Sequence, residues 1–422
     1  MQSYRLKDIT VTIDRQGVER FTKASYPVRY GRYCEITTAD YLFEYNLNGE
    51  IKTIRGLGPN WPHPAEWLKR TDANDWIFYS VGRYHRLFSF LGEYYLPCLS
   101  YPSNSLWEYD PFEDTAIRKA LAARSRLAAM LRAMLANGIP LRVKKFLSRI
   151  LDHDAGRLHL RTEKLHQIIG GPLSVLPPDA RHVDYEVIPL MVADGCLYHC
   201  DFCCVKSPHS FRRRSTADIR RQIRQLKAFH GPNIRNYNAL FLGNHDALAA
   251  GWQSIGMAAE WAHRAFDFDH SHIKNHALFL FGSADSLLAA GEKLFEALNR
   301  IPFYTYINIG LESAHAPTLS LINKPLEPAK IKDAFHKILD INRRYLNIEI
   351  TANFLLGDHL PSGHYAALIE LIRSSLNRYY SKGGVYLSPL KTSRDRQSLL
   401  RRFTEIKTQS RLPAYLYLIQ RL

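Results

Sequence analysis

The 422-residue sequence carries only six cysteines, Cys34, Cys98, Cys196, Cys200, Cys203 and Cys204, and none after Cys204. A disulfide framework would scatter them through a short secreted chain, so a disulfide-stapled scaffold is excluded. Four thiols within nine residues point instead to metal or redox chemistry. No stretch reaches the ~18 apolar residues of a membrane span, and the start, from Met1 to Asp8, has charges where a signal peptide needs an apolar run. The expectation is a soluble, cytoplasmic protein with no membrane partner. Internal repeats and low-complexity tracts are also missing, and the composition, 46% hydrophobic and 23% charged, excludes wholesale disorder, collagen and coiled coil.

What is present is enough chain for two or three domains with sizeable cores. The net charge is +16. It is spread along the chain rather than confined to a tail, with +6 in residues 1–184 and +10 in 185–422. Such a field favours anionic partners, among them nucleic acid, phosphates and acidic lipid, and says nothing about fold. Nucleic acid is on this ground a secondary expectation, since many basic proteins are simply basic.

Three regions follow from the patterning. Residues 1–182 read as an N-terminal α+β region of unassigned role, β-rich over 1–112 and helical over 113–170. Ile9–Ile13, Tyr41–Tyr45 and Ile51–Ile54 are strand-like, the last two joined through Asn48-Gly49, a pair that suits a tight turn. Tyr, Trp, Phe and Pro are dense from Trp61 to Phe112. From Asp114 the apolar residues Ile117, Leu121, Leu127, Leu131 and Leu135 recur at helical spacing until Gly138-Ile139-Pro140 breaks the run, and a basic helical stretch, Leu141–Leu151, follows. Over 183–390 strand and helix alternate. The apolar runs Ile188–Ala193, Ala239–Leu242, Ala277–Phe281, Tyr304–Ile309, Ile348–Leu356 and Val385–Leu387 are separated by helices near Thr216–Phe229, Trp252–Ala265, Ser286–Leu298, Pro328–Arg343 and Tyr365–Tyr379. The fold class expected is α/β, a partial (β/α)6 parallel barrel with the N-terminal α+β region capping its mouth or its side. Residues 391–422 are expected to form a C-terminal helical extension. Sites in such sheets lie at the carboxyl ends of the strands.

At the end of the first of these strands stands Cys196-Leu197-Tyr198-His199-Cys200-Asp201-Phe202-Cys203, a C-x3-C-x2-C spacing. Soft thiolates suit zinc, copper(I) or iron–sulfur centres. Zinc normally takes four protein ligands, usually from two separated knuckles, and no second C-x2-C follows; His199 or Cys204 would have to complete the set. Three thiolates on one tight loop can instead hold three irons of a cubane cluster, leaving the fourth open to a small molecule. The cluster is the favoured reading.

With an aromatic, Phe202, directly before the last cysteine and a strand before the loop, this segment resembles the radical S-adenosylmethionine superfamily, and the resemblance covers roughly 185–387. Ile309-Gly310-Leu311-Glu312-Ser313, followed by Leu319–Pro325, is similar to a segment of the subgroup containing oxygen-independent coproporphyrinogen dehydrogenase, the tRNA methylthiotransferases and the Elongator catalytic subunit. Asn353–Gly357 closes the fifth strand in a similar manner. The resemblance implies a 4Fe-4S cluster on Cys196, Cys200 and Cys203, with S-adenosyl-L-methionine chelating its unique iron. The implied reaction is oxygen-sensitive reductive cleavage to a 5′-deoxyadenosyl radical that modifies a substrate the sequence does not name. It also implies a reducing partner such as flavodoxin or ferredoxin. Cofactor contacts would fall on Gly243, Asp246, Ser283, Gly310, Glu312 and Phe202. Asn244 and His245 depart from the family's usual Gly-Glu pair at the second-strand turn, where Asp246 could equally be a helix cap; Ser283 also suits an N-cap. Asp285 is a weaker candidate.

With no cysteine after Cys204, an auxiliary cluster of the kind found in peptide-modifying relatives has no ligands. No Asp-x-His-x-x-Gly segment occurs in the first 185 residues, which argues against a cobalamin-binding methylase, and no β-barrel RNA domain or acetyltransferase domain is expected after the barrel. An RNA- or tRNA-modifying radical enzyme is the first alternative, and a non-catalytic iron–sulfur or zinc-binding protein the second. Asp269, His270, His272 and His276 suggest a second metal less strongly than an exposed loop. Arg212, Arg213 and Arg214 read as a basic turn opening a helix, or as a phosphate contact. Cys34 and Cys98 read as buried thiols.

Overall fold

The computed structural model describes residues 1–25, 28–81, 87–96, 106, 110–136, 138–173, 175–203, 209–243, 245–390 and 395–419. Cys98, Cys204 and Asn244 lie outside the described residues.

The amino-terminal part is an eight-stranded antiparallel meander in sequential order: β1 (Gln2–Leu6), β2 (Ile9–Gln16), β3 (Arg32–Thr37), β4 (Tyr41–Tyr45), β5 (Ile51–Gly56), β6 (Trp67–Arg70), β7 (Trp76–Tyr79) and β8 (Tyr95–Leu96). The β4–β5 hairpin turns through Gly49 at φ 89°, a left-handed conformation that glycine adopts without a Cβ penalty. Alternation puts Ile9, Val11, Ile13, Cys34, Ile36, Phe43 and Ile54 on one face, all buried. Against that face pack the helices that follow α1 (Leu87–Leu91), namely α2 (Thr115–Leu135) and α3 (Leu141–Leu151), with α4 (Ala155–Ile169) beyond them. Asp114 caps α2 and Asp154 caps α4, and Gly170, at φ 91°, ends α4.

The second part is a parallel sheet in the order β17-β16-β15-β14-β13-β12-β9. It is built from β9 (Ile188–Pro189), a side hairpin of β10 (Ala193–Asp194) and β11 (Arg212–Arg213), α5 (Thr216–His230), β12 (Ala239–Phe241), α6 (Gly251–Phe266), β13 (Ala277–Ser283), α7 (Ala284–Ala289), α8 (Glu292–Arg300), β14 (Tyr304–Glu312), α9 (Ala316–Leu321), α10 (Pro328–Arg344), β15 (Ile348–Leu356), α11 (Gly363–Ile369), β16 (Val385–Pro389), α12 (Arg396–Gln409) and β17 (Ala414–Leu416). The architecture is the expected α/β partial barrel beside an antiparallel sheet. Its central strands are buried on both faces and mainly apolar, and the polar residues they carry, such as Thr351 and Asn353 of β15, are hydrogen-bonded.

Three expectations are corrected and a fourth is narrowed. Residues 391–422 do not form only a helical extension: after α12 the chain returns as β17, pairs in parallel with β16 and adds a seventh strand. Three residues behind Pro413 are too short a run to announce themselves by alternation. The run Ile188–Ala193 joins the sheet as a strand only at Ile188–Pro189 before diverging into the β10–β11 hairpin. The helix expected over Ser286–Leu298 is two, interrupted at Ala290-Gly291, where Gly291 starts α8 in extended conformation. The N-terminal region, expected at the mouth or the side of the barrel, packs against its side and its base rather than its mouth. Its contacts fall at the amino ends of the parallel strands: Asn48 Nδ2 donates to His230 O at 2.9 Å, Asn236 Nδ2 to Arg32 O at 2.8 Å, and Lys274 N to Glu19 O at 2.6 Å. Along the side, Arg181 ties Gly92 O and Tyr386 Oη together, at 3.0 Å each.

Buried charge seals this junction. Lys69 reaches the Asp184 carboxylate at 2.8 Å and Glu186 at 3.1 Å, while Lys52 reaches Glu186 at 3.0 Å and Asp72 at 3.5 Å. Tyr237 Oη donates to Asp72 at 2.6 Å. Against the opposing effect of burial, Lys52 holds the Asp72 carboxyl below its usual range, and Lys52 and Lys69 together do so for Glu186.

Candidate active site

The cysteine loop leaves β10 through Gly195, at φ 78°, where a Cβ would meet Ser210 O at 2.2 Å; only glycine lets the two chain segments approach this closely. The loop is then pinned from three sides. Asp201 N donates to Ile322 O at 3.0 Å, Cys203 N to Cys200 O at 3.3 Å, and Tyr198 Oη to Asp285 at 2.5 Å. Burial, joined by Asp285, pushes the Tyr198 phenol well above its ordinary value, so it stays a donor. Lys330 in turn pairs with Asp285.

Cys196, Cys200 and Cys203 line one cavity of about 220 Å³ at the carboxyl ends of the parallel strands, together with Phe202, Asp246, Ser283, Gly310 and Glu312. Eight of the nine residues singled out from the sequence therefore share one wall. Gly243 is the exception. It is buried in the β12 turn at φ 116°, with Met191 Sδ 3.6 Å from where a Cβ would stand, and it shapes the turn rather than lining the cavity. Ser283 does cap α7, accepting from Ser286 N at 3.0 Å, and it lines the cavity as well. Asp246, 1% exposed, accepts from Ser283 N through Oδ1 at 3.2 Å, while its Oδ2 is buried with no partner. Burial raises its carboxyl above the usual range, hydrogen bonding from Ser283, Ser286 and Ala249 acting against this.

The fourth strand supplies the most constrained feature. Glu312 sits at φ 67°, a left-handed conformation unfavourable for a residue with a Cβ, at a register shift between β14 and β15. This turns its carboxylate back over Gly310, where a Cβ would lie 2.6 Å from Oε1. Lys324, its side chain 3% exposed, donates to Gly310 O at 2.9 Å and approaches Glu312 at 3.4 Å. Burial raises the Glu312 carboxyl and Lys324 opposes the rise. Burial also raises the Cys196 and Cys200 thiols, and Lys324 opposes that too.

Sequence reading missed Lys324, Tyr198 and the far wall. Lys324 lay in the quoted Leu319–Pro325 run, and an apolar-flanked lysine between two turn formers was the available signal. The far wall, Val175, Phe281, Leu355, Pro389, Tyr417 and Ile419, is apolar and comes partly from residues beyond the expected end of the barrel. Other candidates lie elsewhere. Arg214 is structural, chelating Asp194 at 2.5–3.0 Å and Ile169 O at 2.7 Å, while Arg212 and Arg213 are exposed. His270 pairs with Asp267 at 2.6 Å and His263 with His276 at 3.3 Å. Cys34 is buried in the N-terminal sheet.

The donor set suits a cluster with an open iron. Three sulfurs come from one anchored loop, and beside them lies a buried carboxylate oxygen that lacks a donor, as the ammonium of an amino-acid moiety would supply. Among the described residues no three His, Cys, Asp or Glu groups converge as a single metal ion requires; a cluster taking one thiolate per iron imposes no such convergence.

No protein-family model matches the chain, and comparison with curated protein sequences finds none that is similar. Among solved structures, the chain is similar to Streptococcus suis SuiB, with 13% identity over 90% of this chain and 71% of that one and a TM-score of 0.36. It is also similar to a radical SAM methyltransferase from Sphaerobacter thermophilus (14% identity, 55% of this chain and 65% of that one, TM-score 0.33) and to the archaeal Methanocaldococcus infernus Elp3 (12%, 49% and 52%, TM-score 0.30). At these values the weight falls on the chain's own residues.

Proposed function

We propose that this chain is a radical S-adenosylmethionine enzyme. The observation that carries the reading is the convergence of Cys196, Cys200 and Cys203, from one C-x3-C-x2-C loop, with the unpartnered buried Asp246 oxygen in a single cavity at the carboxyl ends of a parallel sheet. The three cysteines would hold a 4Fe-4S cluster, which with bound S-adenosylmethionine supplies a 5′-deoxyadenosyl radical for hydrogen abstraction. Asp246 and Glu312 offer carboxylate acceptors to an ammonium group, and Lys324 holds Glu312 and offsets negative charge near the thiolates. Gly310 leaves room for the returning Glu312 side chain. The apolar wall of Phe281, Leu355, Pro389 and Ile419 excludes water from the site. A flavodoxin or ferredoxin as reductant and a cytoplasmic setting belong to the same reading.

A second reading, RNA modification, has one observation behind it. Residues 114–170 hold twelve Lys and Arg against four Asp and Glu. Arg118, Lys119, Arg126, Arg142, Lys144 and Lys145 of α2 and α3 are exposed, as a phosphate-tracking surface would be.

The deciding experiment is 5′-deoxyadenosine formation by anaerobically reconstituted protein with S-adenosylmethionine and dithionite, beside Cys200→Ala. Formation by the wild type and its loss in the variant is the expected result. Zinc in place of iron after anaerobic purification would overturn the reading. Retention of RNA that is released as salt rises would select the second reading for the substrate.

A further inference from the structure

The N-terminal sheet has a second face, and it is neither apolar nor open. Register places Arg15 opposite Tyr33, Glu35 opposite Glu44, and Leu42 opposite Arg55, all on the face away from α2 and α3. Two glutamates directly across a strand pair repel each other, yet both are buried, at 5% and 8% exposure. Each is matched by an arginine: Arg15 Nη1 contacts Glu35 at 2.5 Å, and Arg29 pairs with Glu44. Arg29 arrives on the segment joining β2 to β3, which folds over this face through Gly17 N to Gly31 O at 2.7 Å and Val18 N to Arg29 O at 2.8 Å. The approach is close enough that a Cβ on Gly17 would lie 2.3 Å from Arg29 O.

With both glutamates engaged, Arg55 has no acid left. Among the described residues its side chain forms no hydrogen bond or salt bridge, and its Nε is buried without an acceptor. An unsatisfied buried donor on a cation is costly. Arg55 lines a cleft of about 620 Å³ together with Arg15, Arg29, Glu35, Tyr33 and Gln16. Burial, with the charges of Arg29 and Arg15, lowers the Arg55 pKa below the ordinary guanidinium value, Glu35 and Glu44 acting against this. The missing component is an anion with two oxygens, the shape a guanidinium fork accepts.

We propose that this cleft binds an oxyanion group, a phosphate or a carboxylate, on Arg55 between the paired Arg15 and Arg29. The shared chemistry is two coplanar acceptor oxygens. Tyr33 and Gln16 add neutral polar groups to the wall. The site lies on the N-terminal sheet, outside the cysteine cavity, and stands independently of the radical-enzyme reading.

The test is calorimetric titration of the full chain with inorganic phosphate and, separately, with acetate, in low-salt chloride buffer. Wild type, Arg55→Gln, Arg55→Lys and the control Lys144→Gln/Lys145→Gln are compared, with circular dichroism as the check on folding. Saturable binding of one ion per chain, weakened about tenfold or more in Arg55→Gln, intermediate in Arg55→Lys and unchanged in the control, is expected. Saturation by phosphate alone identifies a phosphate site, and saturation by acetate alone a carboxylate site. Equal affinity in wild type and a folded Arg55→Gln, an equal loss in the α3 control, or no saturable binding of either ion overturns the proposal.

Discussion

His364 ties the strained Glu312 turn to the neighbouring strand, and this makes acid a specific probe of that turn. Its side chain is fully buried. Nε2 faces Leu355 O at 3.0 Å and must donate to it, so Nδ1 accepts from Ser313 Oγ at 2.8 Å. A proton on Nδ1 would remove that acceptor. Burial, reinforced by His315, brings the imidazole down to about 4 from its ordinary 6.5. The folded value is depressed, so above about 6.5 both states are neutral and the full stability is present. Between 6.5 and 4 the unfolded chain takes up a proton that the folded chain refuses, and stability falls as pH falls. The cost is about 1.4 kcal/mol at pH 5.5 and about 2.5 kcal/mol at pH 4.5. His230, also brought down to about 4 mainly by burial, adds a similar slope, so the wild-type curve alone does not isolate His364. The assay is therefore a pair of urea titrations, wild type and His364→Gln, at pH 7.5, 5.5 and 4.5, read as the difference between them. The variant is less stable at pH 7.5, having lost a two-sided buried contact, and the gap narrows by about 2.5 kcal/mol on reaching pH 4.5. A gap constant over that range would refute the argument.

Three further outcomes follow from buried groups. Lys69→Met strands Asp184 and leaves Glu186 to Lys52 alone at the junction between the two sheets; it should cost about 3–5 kcal/mol, read from urea unfolding, and a loss under about 1 kcal/mol would show the cation to be dispensable. Asp179 accepts from Thr351 at 2.7 Å and Tyr386 at 2.8 Å, and burial raises its carboxyl to about 6. Its folded pKa lies above the unfolded one, so stability falls as pH rises from about 4 to about 6. Asp179→Asn should gain on the wild type by about 2.4 kcal/mol between pH 4 and 7, and parallel pH profiles would contradict this. Gly310→Ala should push Glu312 away from Lys324, costing about 1–3 kcal/mol and weakening S-adenosylmethionine binding in equilibrium dialysis, whereas unchanged affinity would remove Glu312 from the cofactor's surroundings.

The parallel sheet was legible because its strands are buried on both faces and read as apolar runs between helical periods; Ala277–Phe281 and Ile348–Leu356 lie within the strands observed. The cysteine loop was legible because its C-x3-C-x2-C spacing stands out in a chain with only six cysteines. What escaped were features that depend on the far chain. Lys324 gains its role only by folding back 3.4 Å from Glu312, and β17 is a three-residue strand whose partner lies in β16. The charged face of the N-terminal sheet was hidden for a related reason. Alternation of Glu35 and Glu44 with apolar residues reads as an ordinary solvated face, and only the strap through Arg29 buries it.

The seventh strand also has a consequence in time. Tyr417 and Ile419 line the cysteine cavity, and Tyr417 Oη donates to Leu176 O at 2.7 Å, clasping the end of the sheet to the segment that leads into its beginning. These residues are synthesised more than two hundred positions after Cys203. At 5–20 residues per second they emerge roughly 10–40 s later. Through that interval the apolar wall facing Cys196, Cys200 and Cys203 is incomplete, and for the first half of it Glu312 and Lys324 are missing too, which leaves the thiols open to oxidants and to adventitious ions. The wall is complete only once Ile419 has been made, so oxygen and metal supply during synthesis, and not only after purification, bear on the state of these thiols.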